Sequence, residues 1–403
     1  MMNYIRYWGA MVRYAIIGPG AYVGFLCALA VPIVLGIAFY SQQLTYGLAV
    51  TNLSDQVSWG AYIANFTFLV GVAAAAVLLV IPSYVYHHND IKQVVLLGEL
   101  MAVSAIVMCL CFVMVDIGRP DRVLHMMPGL GRLHLPQSIL AWDVVVLSGY
   151  LLLNLHVPGY LLYRRYRGET PNRAYYLPFV LVSIVWAVSI HTVTAFLYSG
   201  FASRPYWNSA ILAPRFLVSA FASGPALLLI MLWVVRRSGA MMVPQTVFAY
   251  LVRVIRFALP LNMFLLACEL FKEFYTNSAH SISAVYLYFG AHGHALLVPY
   301  IWTGLSMGVL SLVLFLLPNA AERGGRMLVA SGLAVVGVWI EKGMGLVVPG
   351  FVPSPTGEWV EYTPSLAEFF ICAGIWALGT ALFTVMARVA LAITEGRLRV
   401  DPG

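Results

Sequence analysis

Runs of 18 or more predominantly apolar residues recur along this chain, separated by short polar connections. Each run is long enough to cross a hydrocarbon core about 30 Å thick as a helix, and that length rule constrains the fold more than any motif. The runs predict spans at 18–40, 59–85, 92–116, 138–163, 174–199, 211–235, 246–271, 294–317, 326–345 and 365–391. A membrane β-barrel would instead show segments of about ten residues with strict alternation, and no such period occurs. With 61% hydrophobic and 10% charged residues against the roughly one quarter charged of soluble domains, a water-soluble fold is excluded. The expectation is an all-α polytopic membrane protein of about ten transmembrane helices, residues 1–403 forming one integral membrane domain. The apolar, aromatic stretch 282–294 is too long to extend the eighth span and reads as an interfacial helix.

The formal charge of +7 does not point to nucleic acid, because the basic residues sit in short connections between spans. If both termini share one side, the other side receives only Arg119, Arg122, Arg132, Arg204, Arg215, Lys272 and Lys342 of the 23 Lys and Arg residues. The positive-inside rule then puts both termini in the cytoplasm. The first run lacks a small-residue cleavage signal and reads as a retained helix. On this topology the segments 41–58, 117–137, 272–293 and 346–364 lie outside, where their Asp, His, Pro and aromatic residues suit a docking surface.

Ionisable residues inside a bilayer are costly and mark candidate function. Asp116, Arg119, Asp121 and Arg122, followed by His125, crowd the outer end of the third span, where Pro120 stops the helix. Two carboxylates and two guanidiniums so close suggest an ion cluster that fixes a polar head group or relays protons. Trp142-Asp143 begins the fourth span at similar depth, so Asp143 and Asp116 are expected to face each other. His191, flanked by Ser189, Thr192 and Thr194, is a candidate to bond a quinone carbonyl and pass its proton, since imidazole titrates near neutrality. Glu99, in the inner half of the third span, is a candidate proton-path acid, with Ser104 beyond it. Glu269, Lys272, Glu273, Glu341 and Lys342 read mainly as electrostatic locks between helices. The outer turns Arg119-Pro120 and Arg204-Pro205 are each followed by an Ile-Leu-Ala segment, a candidate helix-pair repeat.

The five cysteines all fall in apolar spans without a C-x-x-C pair, so the chain is expected to hold no iron–sulfur cluster. Haem is disfavoured because His156 and His191 sit at opposite depths. A proton-coupled secondary transporter would need a midplane site between broken helices. A purely structural membrane anchor for redox partners would make His191 dispensable for ligand affinity.

The run Asp116 to Arg122, Leu140-Ala141-Trp142-Asp143 with Gly149 to Asn154, and Ile190-His191-Thr192 through Pro214-Arg215 together resemble the NrfD-like family, which includes the polysulfide reductase membrane subunit. Glu341 to Leu346, Pro349 to Pro353 and Glu361-Tyr362-Thr363-Pro364 are similar to its DsrP branch. The resemblance implies a subunit of the bacterial or archaeal cytoplasmic (inner) membrane, built as two four-helix bundles with flanking helices, about 18–199 and 211–391. It implies that menaquinone or ubiquinone exchanges electrons with a periplasmic, ferredoxin-like iron–sulfur partner, and in the DsrP branch with a multihaem cytochrome c and other DsrMKJOP-type subunits of dissimilatory sulfur metabolism. Such an oxidoreductase complex leaves this chain without catalysis of its own or as its quinone-reactive part. The implied site takes His191, Asp143 and Asp116 as reacting groups and Arg119, Asp121, Arg122, His125, Trp142 and Arg215 around the head group. No Asn and His pair occurs between Gly18 and Tyr40, where some relatives place head-group ligands.

Overall fold

In a hydrocarbon solvent every backbone N–H and C=O needs a partner within the protein, and a helix supplies most of them locally. The computed structural model describes residues 2–127, 129–276 and 281–400. Its helices are α1 (Met2–Ile16), α2 (Gly20–Tyr46), α3 (Ala61–Val85), α4 (Asn89–Asp116), α5 (Ile139–Tyr166), α6 (Arg173–Ser199), α7 (Leu212–Arg237), α8 (Gln245–Thr276), α9 (Ile282–Phe289), α10 (Val298–Leu316), α11 (Gly324–Phe351) and α12 (Leu366–Thr394). Among the described residues, ten of these, all but α1 and α9, are long and apolar enough to cross a membrane. The protein is an all-α polytopic integral membrane protein.

The expected spans lie where the apolar runs put them, and the ends differ for physical reasons. Helix α2 runs on to Tyr46 because Gln43, polar in an apolar run, turns inward and donates to the Val115 carbonyl at 2.6 Å. Helix α10 starts at Val298 rather than 294 because Ala291 and His294 close a tight turn, with His292 and Gly293 at positive φ. The 282–294 stretch is a separate helix only as far as Phe289. Its Tyr286 and Leu287 are buried against protein, so it packs as part of the fold. Helix α1, too short for the span criterion, was not expected; it buries Tyr7 against the rings of Tyr163 and Tyr166.

Helices α3, α4, α5 and α6 pack on one another as one group, and α7, α8, α10 and α11 as a second; α3 and α6 touch α7 across the join. Helices α2 and α12 pair with each other, and α12 lies against α4. The two chain ends meet. Arg388 of α12 stacks over Tyr14 and Tyr22 and donates to the Ile17 carbonyl at 2.9 Å, while the Val400 amide bonds the Tyr166 carbonyl. With an even number of spans, both ends lie on one face.

Helix α11 departs from regularity where it matters. After Trp339 it widens into a π turn over Ile340–Met344 and then tightens through Pro349–Phe351. Backbone groups released inside a membrane protein must be satisfied by neighbours. Here the loop between α6 and α7 does so. Tyr206 donates to the Gly345 carbonyl at 3.1 Å, Trp207 Nε1 to Leu346 at 2.8 Å, and Arg204 reaches the carbonyls of Gly350 and Phe351. Gly350 is required beneath Trp207, since a Cβ there would overlap the indole. Burial holds the Tyr206 hydroxyl well above its usual range, so it stays a donor at all working pH values.

Two substitutions test this architecture. Trp207→Phe removes the donor to a buried carbonyl and should destabilise the folded protein by about 1–3 kcal/mol, read as a lower midpoint of unfolding in detergent. Gly36 of α2 and Gly374 of α12 touch backbone to backbone, and a Cβ on Gly36 would stand 3.0 Å from the Gly374 Cα. Gly36→Val should therefore separate α2 from α12 at a cost of about 1–3 kcal/mol; an unchanged midpoint would mean that this contact contributes nothing.

Candidate functional site

His191 is fully buried on α6. Its Nε2 faces two groups at once, the Phe216 carbonyl at 2.6 Å and Lys342 Nζ at 2.9 Å, while Nδ1 has no partner among the described residues. Lys342 also sits 4.2 Å over the Phe216 ring. Gly71 of α3 makes the room, because a Cβ there would lie 3.2 Å from the imidazole and 3.4 Å from the ammonium. Nε2 can donate to the Phe216 carbonyl or accept from Lys342, and not both at once.

One turn further along α6, Thr194 Oγ1 stands 2.9 Å from Asp143 Oδ1 and 2.8 Å from the Ile190 carbonyl. Asp143 is buried on α5. Another turn on, the Tyr198 hydroxyl shares a short hydrogen bond with Thr67 of α3. Residues 191, 194 and 198 thus form one polar stripe at helical spacing. Above it the rings of Trp59, Trp207 and Phe351 close the outer end, Trp59 and Trp207 stacked with centroids 5.7 Å apart.

The π turn sends adjacent residues into different helix groups. Lys342 points at His191, and Glu341 points at Arg215 of α7, which bonds it through Nε and Nη2 at 3.2 and 2.5 Å. Arg215 Nη1 meets Glu269 of α8, and Glu341 Oε2 accepts from Asn262 at 3.0 Å. All but Glu269 in this set are buried. Such an arrangement stabilises only while complete, because removing one partner strands a buried charge.

A different region offers access. A cavity of about 280 Å³ lies between α2 and the segment after α4, lined by Tyr40, Gln43, Leu48, Gly118, Arg119 and Asp121 among others. Tyr62 donates to Gln43 Oε1 at 2.8 Å, which aims the amide. Tyr40 also lines a second cavity of about 380 Å³, a groove between α2, α4 and α12 walled almost wholly by carbon, with Ile33, Ile37, Leu110, Met114 and Ile375. A pocket carrying Gln43, Arg119 and Asp121 therefore adjoins an apolar groove along the spans.

A family model described as "Polysulphide reductase, NrfD" matches residues 49–352, most of the chain. The chain belongs to the NrfD family. It is similar to a protein of Halobacterium salinarum assigned as a membrane subunit of dimethyl sulfoxide reductase, 25% identical over 89% of each chain. It is also similar to the Hdr-like menaquinol oxidoreductase integral membrane subunit of Archaeoglobus fulgidus, 23% identical over 92% of this chain and 94% of that one. A third relative, a selenate reductase subunit of Mesobacillus selenatarsenatis, is 23% identical over 88% of this chain and 91% of its own.

In this NrfD-family chain the expected site residues divide into separate groups. The expected four-membered ion cluster is not formed. Arg119 pairs with Asp121 through two bonds of 3.0 and 2.9 Å, but both side chains are largely exposed, at 64% and 59%. That bonding holds Asp121 below the usual carboxylate range. Arg122 and His125 point outward on the short helix Pro120–Met126 and make no side-chain hydrogen bond among the described residues. Asp116 turns away from them, its Oδ1 buried without a partner among the described residues, and no bond joins it to Asp143. Trp142 faces out, donating to the Pro136 carbonyl, because it is the neighbour of an inward residue on a helix. Arg215 belongs to the lock with Glu341 and Glu269. Glu99 is buried, with the Tyr84 hydroxyl at 3.3 Å. Arg204 holds α11, unlike solvent-facing Arg119, so the two Arg-Pro turns do different work.

Lys342, Thr194, Tyr40 and Gln43 were missed as site residues. A Glu-Lys pair inside the ninth apolar run was the available signal for Lys342, but its contact with His191 depends on the π turn. Arg215→Ala leaves Glu341 and Glu269 facing each other unpaired and should cost about 3–5 kcal/mol; unfolding in detergent checks this. Lys342→Met should cost much less, since His191 keeps the Phe216 carbonyl as a partner.

Proposed function

We propose that this chain is the quinone-reactive membrane subunit of a respiratory redox complex. The observation that carries the reading is a pocket that presents Gln43 and Arg119 next to an apolar groove along the spans, the two joined at Tyr40. That amphipathic division suits a redox-active ring on an isoprenoid tail. A bound quinone would supply two-electron, two-proton chemistry. Gln43, oriented by Tyr62, and Arg119 offer donors to ring oxygens, and the guanidinium is suited to stabilise negative charge. The groove walls exclude water from the tail.

The chain's buried groups hold and move protons behind that pocket. Asp116, one residue before pocket-lining Ile117, has an acceptor oxygen without a partner. Asp143, Thr194, His191 and Lys342 extend the polar series inward. His191 and Asp143 are thus proton-holding groups, not head-group ligands. Glu99 and Tyr84 form an isolated outpost nearer the terminal face.

The names of the relatives, a menaquinol oxidoreductase and two reductase subunits, support placement in a multisubunit redox complex. We place the end bearing the termini in the cytoplasm, from the bias of basic residues. An iron–sulfur partner then docks outside, near Arg119, Arg122 and His125. The segments resembling the DsrP branch, Glu341 to Leu346 and Pro349 to Pro353, build α11's irregular end, and on that likeness we extend the proposal to dissimilatory sulfur metabolism.

The test compares quinone-analogue affinity with quinol-driven reduction of the partner's clusters in the purified complex. Gln43→Leu and Arg119→Gln should each weaken the analogue about tenfold, the worth of one hydrogen bond to a charged or strongly polar group. Asp143→Asn should leave affinity intact and slow electron transfer. Unchanged affinity in all three would reject the pocket, and unchanged transfer as well would leave a structural anchor as the better account.

A further inference from the structure

On the face that carries the termini, a cavity of about 350 Å³ opens between the end of α7, the start of α8 and the connection from α10 to α11. It has no part in the quinone reading. Arg236 is fixed in its wall, donating to Gln245 Oε1 at 2.9 Å with its guanidinium 5.6 Å over the Phe248 ring. Arg237 and, across the cavity, Glu322 line the same space, and among the described residues neither has an ion-pair partner. They have not paired with each other. Trp233 brings its indole against Gly324, where a Cβ would stand 2.9 Å from Nε1, and that N–H has no acceptor among the described residues. Gly324 opens α11, whose first turn has no side-chain cap. Free N–H groups at a helix start attract anions.

Two guanidiniums, an indole N–H and an uncapped helix start therefore converge on one space, with a single carboxylate opposite. The net positive wall calls for an anion, and the carboxylate calls for a hydrogen-bond donor on the same ligand. A phosphodiester bearing a hydroxylated head group has both. The cavity lies at the ends of the spans α7, α8 and α11, whose nearby turns carry exposed apolar residues such as Val234 and Val329, and basic pockets between helices at that depth suit lipid head groups. We propose that this cavity is a binding site for an anionic phospholipid of the phosphatidylglycerol class, the phosphate facing Arg236, Arg237, Trp233 and the start of α11, and the glycerol hydroxyls facing Glu322.

The experiment is native mass spectrometry of the delipidated full chain in detergent with added phosphatidylglycerol, phosphatidylcholine or glycerol 3-phosphate. Phosphatidylglycerol should be retained about fivefold better than phosphatidylcholine, which has no head-group donor, and Arg237→Gln should lose about that factor, the worth of one basic residue at a membrane surface. Glu322→Gln should narrow the preference between the two lipids. Both positions are exposed and unpaired, so the variants should unfold at the wild-type midpoint. Retention unaffected by Arg237→Gln, or equal for both lipids, would overturn the proposal. Displacement of the lipid by millimolar glycerol 3-phosphate would assign the cavity to a soluble phosphoester instead.

Discussion

The structure depends on how one helix is allowed to be irregular inside the membrane. Helix α11 widens at Ile340–Met344 and tightens through Pro349–Phe351, and the carbonyls left free along its end, that of Gly345 facing an imide nitrogen at Pro349, are bound by Tyr206, Trp207 and Arg204 from the loop between α6 and α7. Without those donors this irregular end would leave unsatisfied polar groups in an apolar surround, costing several kcal/mol each. With them, Glu341 and Lys342, neighbours in sequence, face opposite helix groups. The same aromatic loop residues close the outer end over His191.

From that turn follow two electrostatic arrangements of different character. The Arg215, Glu341, Glu269 and Asn262 set is closed and well bonded, and it ties α7, α8 and α11 together. The His191 and Lys342 pair is underbonded, with Nδ1 making no hydrogen bond among the described residues.

Access lies elsewhere, at the rim formed by α2, α4 and α12. These helices lean on one another through Gly36 and Gly374 and leave an apolar groove that meets the Gln43 and Arg119 pocket at Tyr40. Glu368, fully buried at the start of α12, fastens this rim by accepting from Tyr362, the Asn52 amide and the Ser365 amide.

The sequence by itself determined the spans, since an apolar run that must bond its own backbone across about 30 Å has only the helix available. It also marked Asp143 and His191 as buried polar groups, because intramembrane charge is too costly to be incidental. Proximity in sequence misled at Asp116 to Arg122: Pro120 ends the helix, so Asp116 turns inward while Arg119 and Asp121 pair in solvent. Tertiary structure alone decided that Lys342 meets His191, because the π turn that aims it is held by a loop more than 130 residues away in the chain. It alone placed Gln43 beside Arg119, joining helices that sequence leaves about 75 residues apart. Hydrophobic length is a local property and can be read along a chain; the direction of a side chain among packed helices is set by partners that the chain brings from far away.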